Sequence, residues 1–248
     1  MYLFKRKYLA IFAGLSLPMT SVANTNTTLL AANDRLETVL VLGEKIKKEL
    51  EAEQALTPGG VTIIENTDLY ERNVANLGDM LRYVPGVWTA SGATGDSTFF
   101  SSRGSNLDAT NYDGNGIKLL QDGLPVTAAD GNNHNRIMDP LAARYATIAH
   151  GANALTYGAS TLGGAIDFTT PTARDTESEI FLNSGSHGQL QGRVTGGAVS
   201  EAFDGLITIE AKDWDGFRAH HQQDRKGIYA NAGWQFNDDV KTRLYLTY

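Results

Sequence analysis

Residues 228–236 read IYANAGWQF, and this stretch decides the fold class of the C-terminal part of the chain. Side chains of a β-strand point alternately to its two faces, so the pattern predicts a strand with one polar and one apolar face. The apolar face consists of Ile228, Ala230, Ala232, Trp234 and Phe236. Similar stretches, predicted as further strands, lie at 178–185, 188–199, 203–213 and 240–248. A long polar segment, 214–226, separates the strand predicted at 203–213 from the stretch 228–236.

The apolar faces of the best-patterned strands carry no charge, which is typical of strands that face lipid. Strands of about 9–11 residues, apolar outside and polar inside, build transmembrane β-barrels. Antiparallel sandwiches of soluble proteins also alternate, so a soluble exported binding module stays open as an alternative. We expect 173–248 to be the start of a transmembrane β-barrel in contact with outer-membrane lipid. About five strands cannot close a wide barrel without open edges, so the chain is predicted to be a fragment.

The preceding residues, 57–172, mix strand and helix signals and predict an α+β domain, a small mixed sheet with short helices. Asn73 is a candidate N-cap for a helix that places Leu77, Met80, Leu81 and Val84 on one face, and Asp139-Pro140 can open a short helix. Strands are expected at 61–64, 98–102, 117–121 and 165–169.

The N-terminus has the organisation of an export signal. The cations Lys5, Arg6 and Lys7 precede an apolar run that is too short to span a bilayer as a helix. Small residues before position 24 predict cleavage after Ala23, so 1–23 is a signal peptide; a retained anchor helix is the alternative. Residues 24–56 are expected to be a flexible segment that ends in a charged helix over 44–56.

Composition excludes several classes of function. The formal net charge is −7, with 28 acidic against 21 basic residues, whereas nucleic-acid binding requires a basic face. The chain has no cysteine, so disulfides and thiolate metal sites are excluded. The glycines near 158–164 fit neither a P-loop nor a dinucleotide fingerprint. No nucleophile with a base is evident, and we expect neither an enzyme nor a bound cofactor.

Several short motifs follow one another along the chain. The first is the segment Glu37, Thr38, Val39, Leu40 and Val41, and the last is Asp215-Gly216-Phe217-Arg218. The motifs between them contain Val84, Pro85, Gly86, Arg103, Gly104, Asp122, Gly123, Tyr157, Gly158, Gly163 and Gly164. Taken in order, these motifs resemble those of TonB-dependent outer-membrane receptors, the ligand-gated transporters of Gram-negative bacteria. The first resembles the TonB box, the middle ones resemble the plug domain, and the last resembles the opening of an early extracellular loop.

The resemblance implies active uptake of a scarce ligand, most often a ferric siderophore, across the outer membrane. A plug gates the barrel, and the periplasmic N-terminus carries the TonB box, which pairs with TonB by strand addition. Receptors for cobalamin, haem or oligosaccharides remain alternatives within the class, and a passive porin is disfavoured by the plug-like domain. Fold-level analogy does not identify the ligand.

One departure from the family concerns the contact between plug and barrel. Two charged family residues, a glutamate and an arginine that help to lock the plug to the wall, are replaced by Thr147 and His150. This contact is therefore either absent or made differently. Possible ligand contacts, none of them expected to form a metal site, are Phe99, Phe100, Asp130, Asn133, His134, Arg136, His220 and His221.

Overall fold

The computed structural model describes residues 48, 50–52, 54, 55, 60–72, 74, 76–91, 98–105, 116–126, 139–237 and 239–248. The predicted signal peptide and the predicted TonB box, 37–41, lie outside the described residues. Within the predicted helix 44–56, residues 48, 50–52, 54 and 55 are helical.

The first half of the described chain forms a mixed sheet with short helices. Its five strands lie in the order β1-β6-β7-β4-β5, with β4 and β7 parallel and the other neighbours antiparallel, while β2 and β3 pair separately. The strands are β1 (Val61–Glu65), β2 (Val87–Ser91), β3 (Thr98–Ser102), β4 (Ile117–Gln121), β5 (Leu124–Pro125), β6 (Tyr145–His150) and β7 (Gly164–Thr169). The helices are α1 (Asn66–Glu71), α2 (Leu77–Leu81) and two 3₁₀ helices, Pro140–Ala142 and Gly151–Tyr157.

Helix α2 anchors the core of this mixed-sheet domain. Its N-cap is Asn76, whose side-chain oxygen accepts a hydrogen bond from the backbone N–H of Asp79 at 3.0 Å, so the expectation of Asn73 as the cap is wrong. The turn starts three residues later because Asn76 satisfies one of the free amides of the first helical turn. The predicted apolar face is buried in the core through Leu77, Met80, Leu81 and Val84.

The second half is a five-stranded antiparallel sheet. Its strands are β8 (Glu179–Ser184), β9 (Leu190–Val199), β10 (Phe203–Trp214), β11 (Gln223–Gln235) and β12 (Lys241–Thr247). Each strand pairs with its neighbours in sequence, in the order β12-β11-β10-β9-β8. Strand β11 begins at Gln223, so the polar segment predicted over 214–226 is shortened to the residues between β10 and β11. The first residues of β11 are polar, but they pair with β10 as far as Trp214, which lies opposite Gln223.

The antiparallel sheet is polar on its covered face and apolar on its open face. On β10, for example, Thr208 and Glu210 are buried, whereas Ile207 and Ile209 are about half exposed. This is the reverse of a soluble sandwich, in which apolar side chains would be covered. No helix in the described part of the chain has both the length and the apolar character needed to cross a membrane.

The predicted fold class is confirmed: a mixed sheet with few helices is followed by antiparallel strands. Strand β6 of the mixed sheet and strand β2 of the separate β2-β3 pair were not expected from the sequence. Strand β6 lies between β1 and β7, and four of its six side chains are buried, so it lacks the alternation that reveals a half-exposed strand.

Candidate functional site

The covered face of the antiparallel sheet meets the mixed-sheet domain through a buried group of charges. Arg193 of β9 lies at the centre of the group, and its side chain is 2% exposed. Its guanidinium donates hydrogen bonds to the carboxylate of Asp139, to the backbone oxygen of Leu141 and, at 2.6 Å, to Glu210 of β10. Asp139 and Leu141 belong to the mixed-sheet domain, so one side chain connects the two sheets.

Arg225 of β11 completes this group from the neighbouring strand. Its Nε lies 3.3 Å from one carboxylate oxygen of Glu210, and its Nη2 donates to the Tyr229 hydroxyl at 2.9 Å. The Tyr229 hydroxyl in turn donates to Glu210 at 3.1 Å. We call Asp139, Arg193, Glu210, Arg225 and Tyr229 the ionic cluster. Each carboxylate therefore has at least one arginine partner, which is how buried charges become tolerable.

Asp139 is held in place and ionised by its surroundings. Its side chain also accepts the backbone N–H of Leu141 at 3.0 Å, which caps the 3₁₀ helix Pro140–Ala142 as the sequence predicts. Burial opposes ionisation of this carboxyl, but the positive charge of Arg193 and further hydrogen bonds outweigh it and lower the pKa of Asp139. The cluster therefore contains a carboxylate rather than a neutral acid on the mixed-sheet side.

Further contacts around the ionic cluster tie the antiparallel sheet to the mixed-sheet domain, to the segment between them, and strand to strand. Tyr70 of α1 donates to Glu179 of β8 at 2.7 Å, and its ring stacks on Phe181 at 4.6 Å. Asn231 of β11 donates to the backbone oxygen of Pro171 at 2.9 Å. Asp204 of β10 pairs with Arg174, in the connection between the sheets, and with Arg243 of β12.

The two residues that replace the family's locking charges lie within the mixed-sheet domain. Thr147 pairs with Ile63 of β1 and Asp167 of β7 in the sheet register. The His150 ring lies 3.5 Å from the hydroxyls of Thr62 and Ser102. A connection between the two sheets is made elsewhere, through Asp139 on one side and Arg193 on the other.

His150 is buried beside a cation, and both effects act in the same direction. Burial and the nearby Arg103 charge lower the pKa of His150 below its usual 6.5. A depressed histidine pKa contributes stability above the pKa of the unfolded chain, and this stability is lost as the pH falls through the folded value. Acidification should therefore weaken the mixed-sheet domain at the contact between β1 and β6.

This gives a pH-dependent expectation for a single substitution. The variant His150→Gln keeps a polar side chain opposite Thr62 and Ser102 but cannot take up a proton in this range. We expect its unfolding temperature to fall less than that of the wild type between pH 7.5 and pH 5.5, values chosen to bracket the ordinary histidine pKa of about 6.5. Thermal unfolding of the full-length protein at the two pH values measures the difference. An equal fall of the unfolding temperature in the wild type and the variant would contradict the lowered pKa of His150.

The motif residues lie at tight turns of the mixed-sheet domain. Val84 is buried, Pro85 follows it, and Gly86 has a φ of +77°, which favours glycine. The backbone oxygen of Gly86 accepts the N–H of Arg103 at 2.9 Å, and Gly104 continues that turn. The Arg103 guanidinium fills the space next to Gly60 and Gly151.

The two remaining motifs connect β4 to β7. The Asp122 carboxylate accepts hydrogen bonds from the N–H and the hydroxyl of Thr170, and the N–H of Gly123 donates to Asp167 at 3.1 Å. Burial and the neighbouring Asp122 charge raise the pKa of Asp167 although the Gly123 hydrogen bond opposes this.

The second of these motifs, 157–166, closes the sheet by close backbone contact. Lys118 donates to the backbone oxygen of Tyr157 at 2.8 Å, and Gly158 ends the second 3₁₀ helix. A Cβ on Gly164 would lie 2.6 Å from the backbone oxygen of Ala149, so only glycine fits there, and Gly163 is similarly crowded by Ser105.

The predicted ligand contacts are dispersed. Phe100 is buried in the core, whereas Phe99 is only partly buried and contacts Trp88 edge-on at 5.6 Å. His221 is 3% exposed and packs against Trp214 and Phe217, while its neighbour His220 is exposed. In the described residues no three His, Asp or Glu side chains are grouped as metal ligands. Asp130, Asn133, His134 and Arg136 lie outside the described part of the chain.

Comparison with known proteins identifies the mixed-sheet domain. A family model described as "TonB-dependent Receptor Plug Domain" matches residues 53–165. These residues form a TonB-dependent receptor plug domain. The resemblance noted from the sequence motifs is thereby confirmed. The ionic cluster is one of the contacts between this plug domain and the antiparallel sheet.

Relatives extend the similarity beyond the plug domain. The chain is 25% identical to a hemin receptor of Yersinia pestis over 99% of its own length and 37% of that receptor. It is 26% identical to a ferrioxamine receptor of Yersinia enterocolitica over 77% of the chain and 26% of the relative. The chain thus spans about a third or less of these curated relatives.

A solved structure shares the fold of the plug domain and the sheet. The structure of P. aeruginosa FpvA bound to a heterologous pyoverdine aligns with a TM-score of 0.63 at 19% identity. The alignment covers 77% of this chain and 25% of FpvA. At this level of identity the likeness concerns fold only.

Proposed function

We propose that this chain is the N-terminal part of a TonB-dependent receptor that takes up chelated iron across the Gram-negative outer membrane. The plug domain gates a barrel whose first wall strands are β8–β12. The observation that carries the proposal is the plug domain held by the ionic cluster against the polar face of a sheet whose other face is apolar. A wall of this kind suits water inside and lipid outside.

The apolar face of the sheet supports a membrane location. Its exposed side chains include Ile180, Leu182, Ile207, Ile209, Leu244 and Leu246. Near the short turn after β11, Trp234 contacts both Phe203 and Phe236, which is the composition of an interfacial aromatic girdle. A soluble exported binding module would leave this large apolar surface in water, which monomeric soluble proteins avoid.

The proposed energy supply is TonB, which would pair with residues 37–41 on the periplasmic side. The outer membrane contains no nucleotide source, so a closed barrel needs mechanical work from the inner membrane. In strand addition, TonB would bind this segment mainly through backbone hydrogen bonds. The proposed role is that of a transporter and not an enzyme, in line with the plug-domain family.

The ligand is proposed as a ferric siderophore, with haem as the second candidate. The ferrioxamine receptor and the FpvA structure favour the first. The hemin receptor favours the second, because its similarity extends over 99% of the chain.

The decisive experiment measures iron uptake by cells that carry the full-length receptor, with and without TonB. Ferrioxamine B, a ferric pyoverdine and haem are each offered as the only iron source. We expect growth on one of these iron sources in cells that have TonB, and no growth on it in cells that lack TonB. Uptake that persists without TonB would overturn the coupled mechanism, and growth on none of the three would overturn the proposed ligand class.

A further inference from the structure

The ionic cluster distributes its charges unequally between the plug domain and the wall. The wall strands contribute Arg193, Arg225 and Glu210, and the plug domain contributes Asp139. With the plug in place, the two arginines face the acidic groups of both Asp139 and Glu210. Without the plug, one of the two carboxylates leaves and the wall retains a net positive charge.

Lys212 extends the positive charge along the same face of the wall. It lies two residues after Glu210 on β10, opposite Gln191 of β9 and Arg225 of β11 in the register. Its side chain, like that of Glu210, is on the covered face and is only 5% exposed. On this part of the covered face, the cations Arg193, Lys212 and Arg225 outnumber the acids Glu179 and Glu210.

We propose that Arg193, Lys212 and Arg225 form a cationic stripe that Asp139 partly neutralises in the closed receptor and that selects anionic ligands when the plug moves. The inference rests on the proposed function, because it requires a plug that leaves the wall. The cationic stripe would act on the ligand during its passage through the barrel and not at the outer binding site.

Electrostatics favours this reading over a purely structural cluster. A lumen with walls of one sign and low dielectric constant concentrates the field and raises the local concentration of the opposite charge. A chelate that carries carboxylate, catecholate or propionate groups would replace Asp139 as the partner of the arginines. A cationic chelate would be repelled at the same place.

The arrangement also allows release without leaving an isolated buried charge. Removing one partner of a buried ion pair is costly because the other charge stays uncompensated. Here Arg193 also pairs with Glu210 at 2.6 Å within the wall, so it still has an acidic partner when Asp139 moves toward water. The wall thus remains ordered while its net charge changes.

Ion selectivity of the opened receptor tests the proposal. The full-length receptor is inserted into planar lipid bilayers, and a moderate urea concentration releases the plug reversibly. The reversal potential in a KCl gradient gives the ratio of chloride to potassium permeability. We compare the wild type with Lys212→Gln, Arg225→Gln and the double variant. Lys226→Gln serves as the matched control, because this exposed lysine lies opposite Ala211, on the other face of the wall.

We expect the double variant to reduce the chloride-to-potassium permeability ratio by about twofold or more, and Lys226→Gln to leave it unchanged. An unchanged ratio in the double variant would overturn the stripe, as would an equal change in the control. If Arg225→Gln prevents insertion, the permeability ratio of Lys212→Gln alone decides. A failure of the proposed function is recognised separately, since uptake would then be independent of TonB in the wild type.

Discussion

Replacing Arg193 with methionine is expected to destabilise the plug within the receptor by about 3–5 kcal/mol, the usual effect of removing one partner from a buried ion pair. Methionine fills similar space but leaves the Asp139 carboxylate without its guanidinium partner and the Leu141 oxygen without a donor. Glu210 retains Arg225 and Tyr229, so the loss falls mainly on the plug side of the contact.

The measurement is the thermal or urea-induced unfolding of the plug in the purified full-length receptor. Arg174→Met is the matched control, because the Arg174 side chain is 38% exposed and pairs with Asp204, which also has Arg243. The Asp204 carboxylate is buried but keeps Arg243 in this variant, so the control should stay close to the wild type. Equal effects of the two substitutions would contradict the role of Arg193.

A double-mutant cycle separates the ion pair from general damage. Asp139→Asn in the Arg193→Met background should add little, because the charge that it removes has already lost its partner. Contacting residues commonly show coupling of about 0.5–3 kcal/mol in such cycles. Strict additivity would mean that the two side chains act independently, in conflict with their direct hydrogen bond. The same variants should increase the current through the closed receptor in bilayers, since a loosened plug seals poorly.

The wall strands were predictable because their pattern is local. Alternation over 203–213 placed the third strand within one residue of the observed Phe203–Trp214. Such a pattern arises because the two faces of the strand lie in different environments, so the polarity of each residue indicates the face on which it lies. Tyr145–His150, in contrast, is largely buried on both faces and carries no such pattern.

The ionic cluster could be predicted only in part. The sequence places Glu210 and Lys212 on the polar face of their strand, and it assigns an N-cap role to Asp139. It does not reveal that Asp139 meets Arg193, because the two residues are 54 positions apart and belong to separate sheets. The sequence does show charged residues on the polar face of the wall strands. Because buried charges require partners, a plug that covers this face must supply some of them.

Proline at position 40 is expected to abolish uptake, which is the largest functional effect among these predictions. Residues 37–41 are proposed to add a strand to TonB, and strand addition depends on backbone hydrogen bonds. Proline lacks the N–H and fixes φ, so Leu40→Pro removes a ladder hydrogen bond and distorts its neighbours. Transport should fall to the level of a strain without TonB, while ligand binding to the cell surface stays at the wild-type level.

Thr27→Pro provides the control for this experiment, because residue 27 lies in the polar segment 24–36 that precedes the proposed strand. A segment that serves only as slack tolerates proline, so this variant should transport normally. Leu40→Ala provides the second comparison, since it shortens the side chain but keeps the backbone donor and should retain most of the transport. Full loss in Leu40→Ala would indicate side-chain recognition rather than strand addition. Normal transport by Leu40→Pro would place the TonB contact elsewhere in the chain.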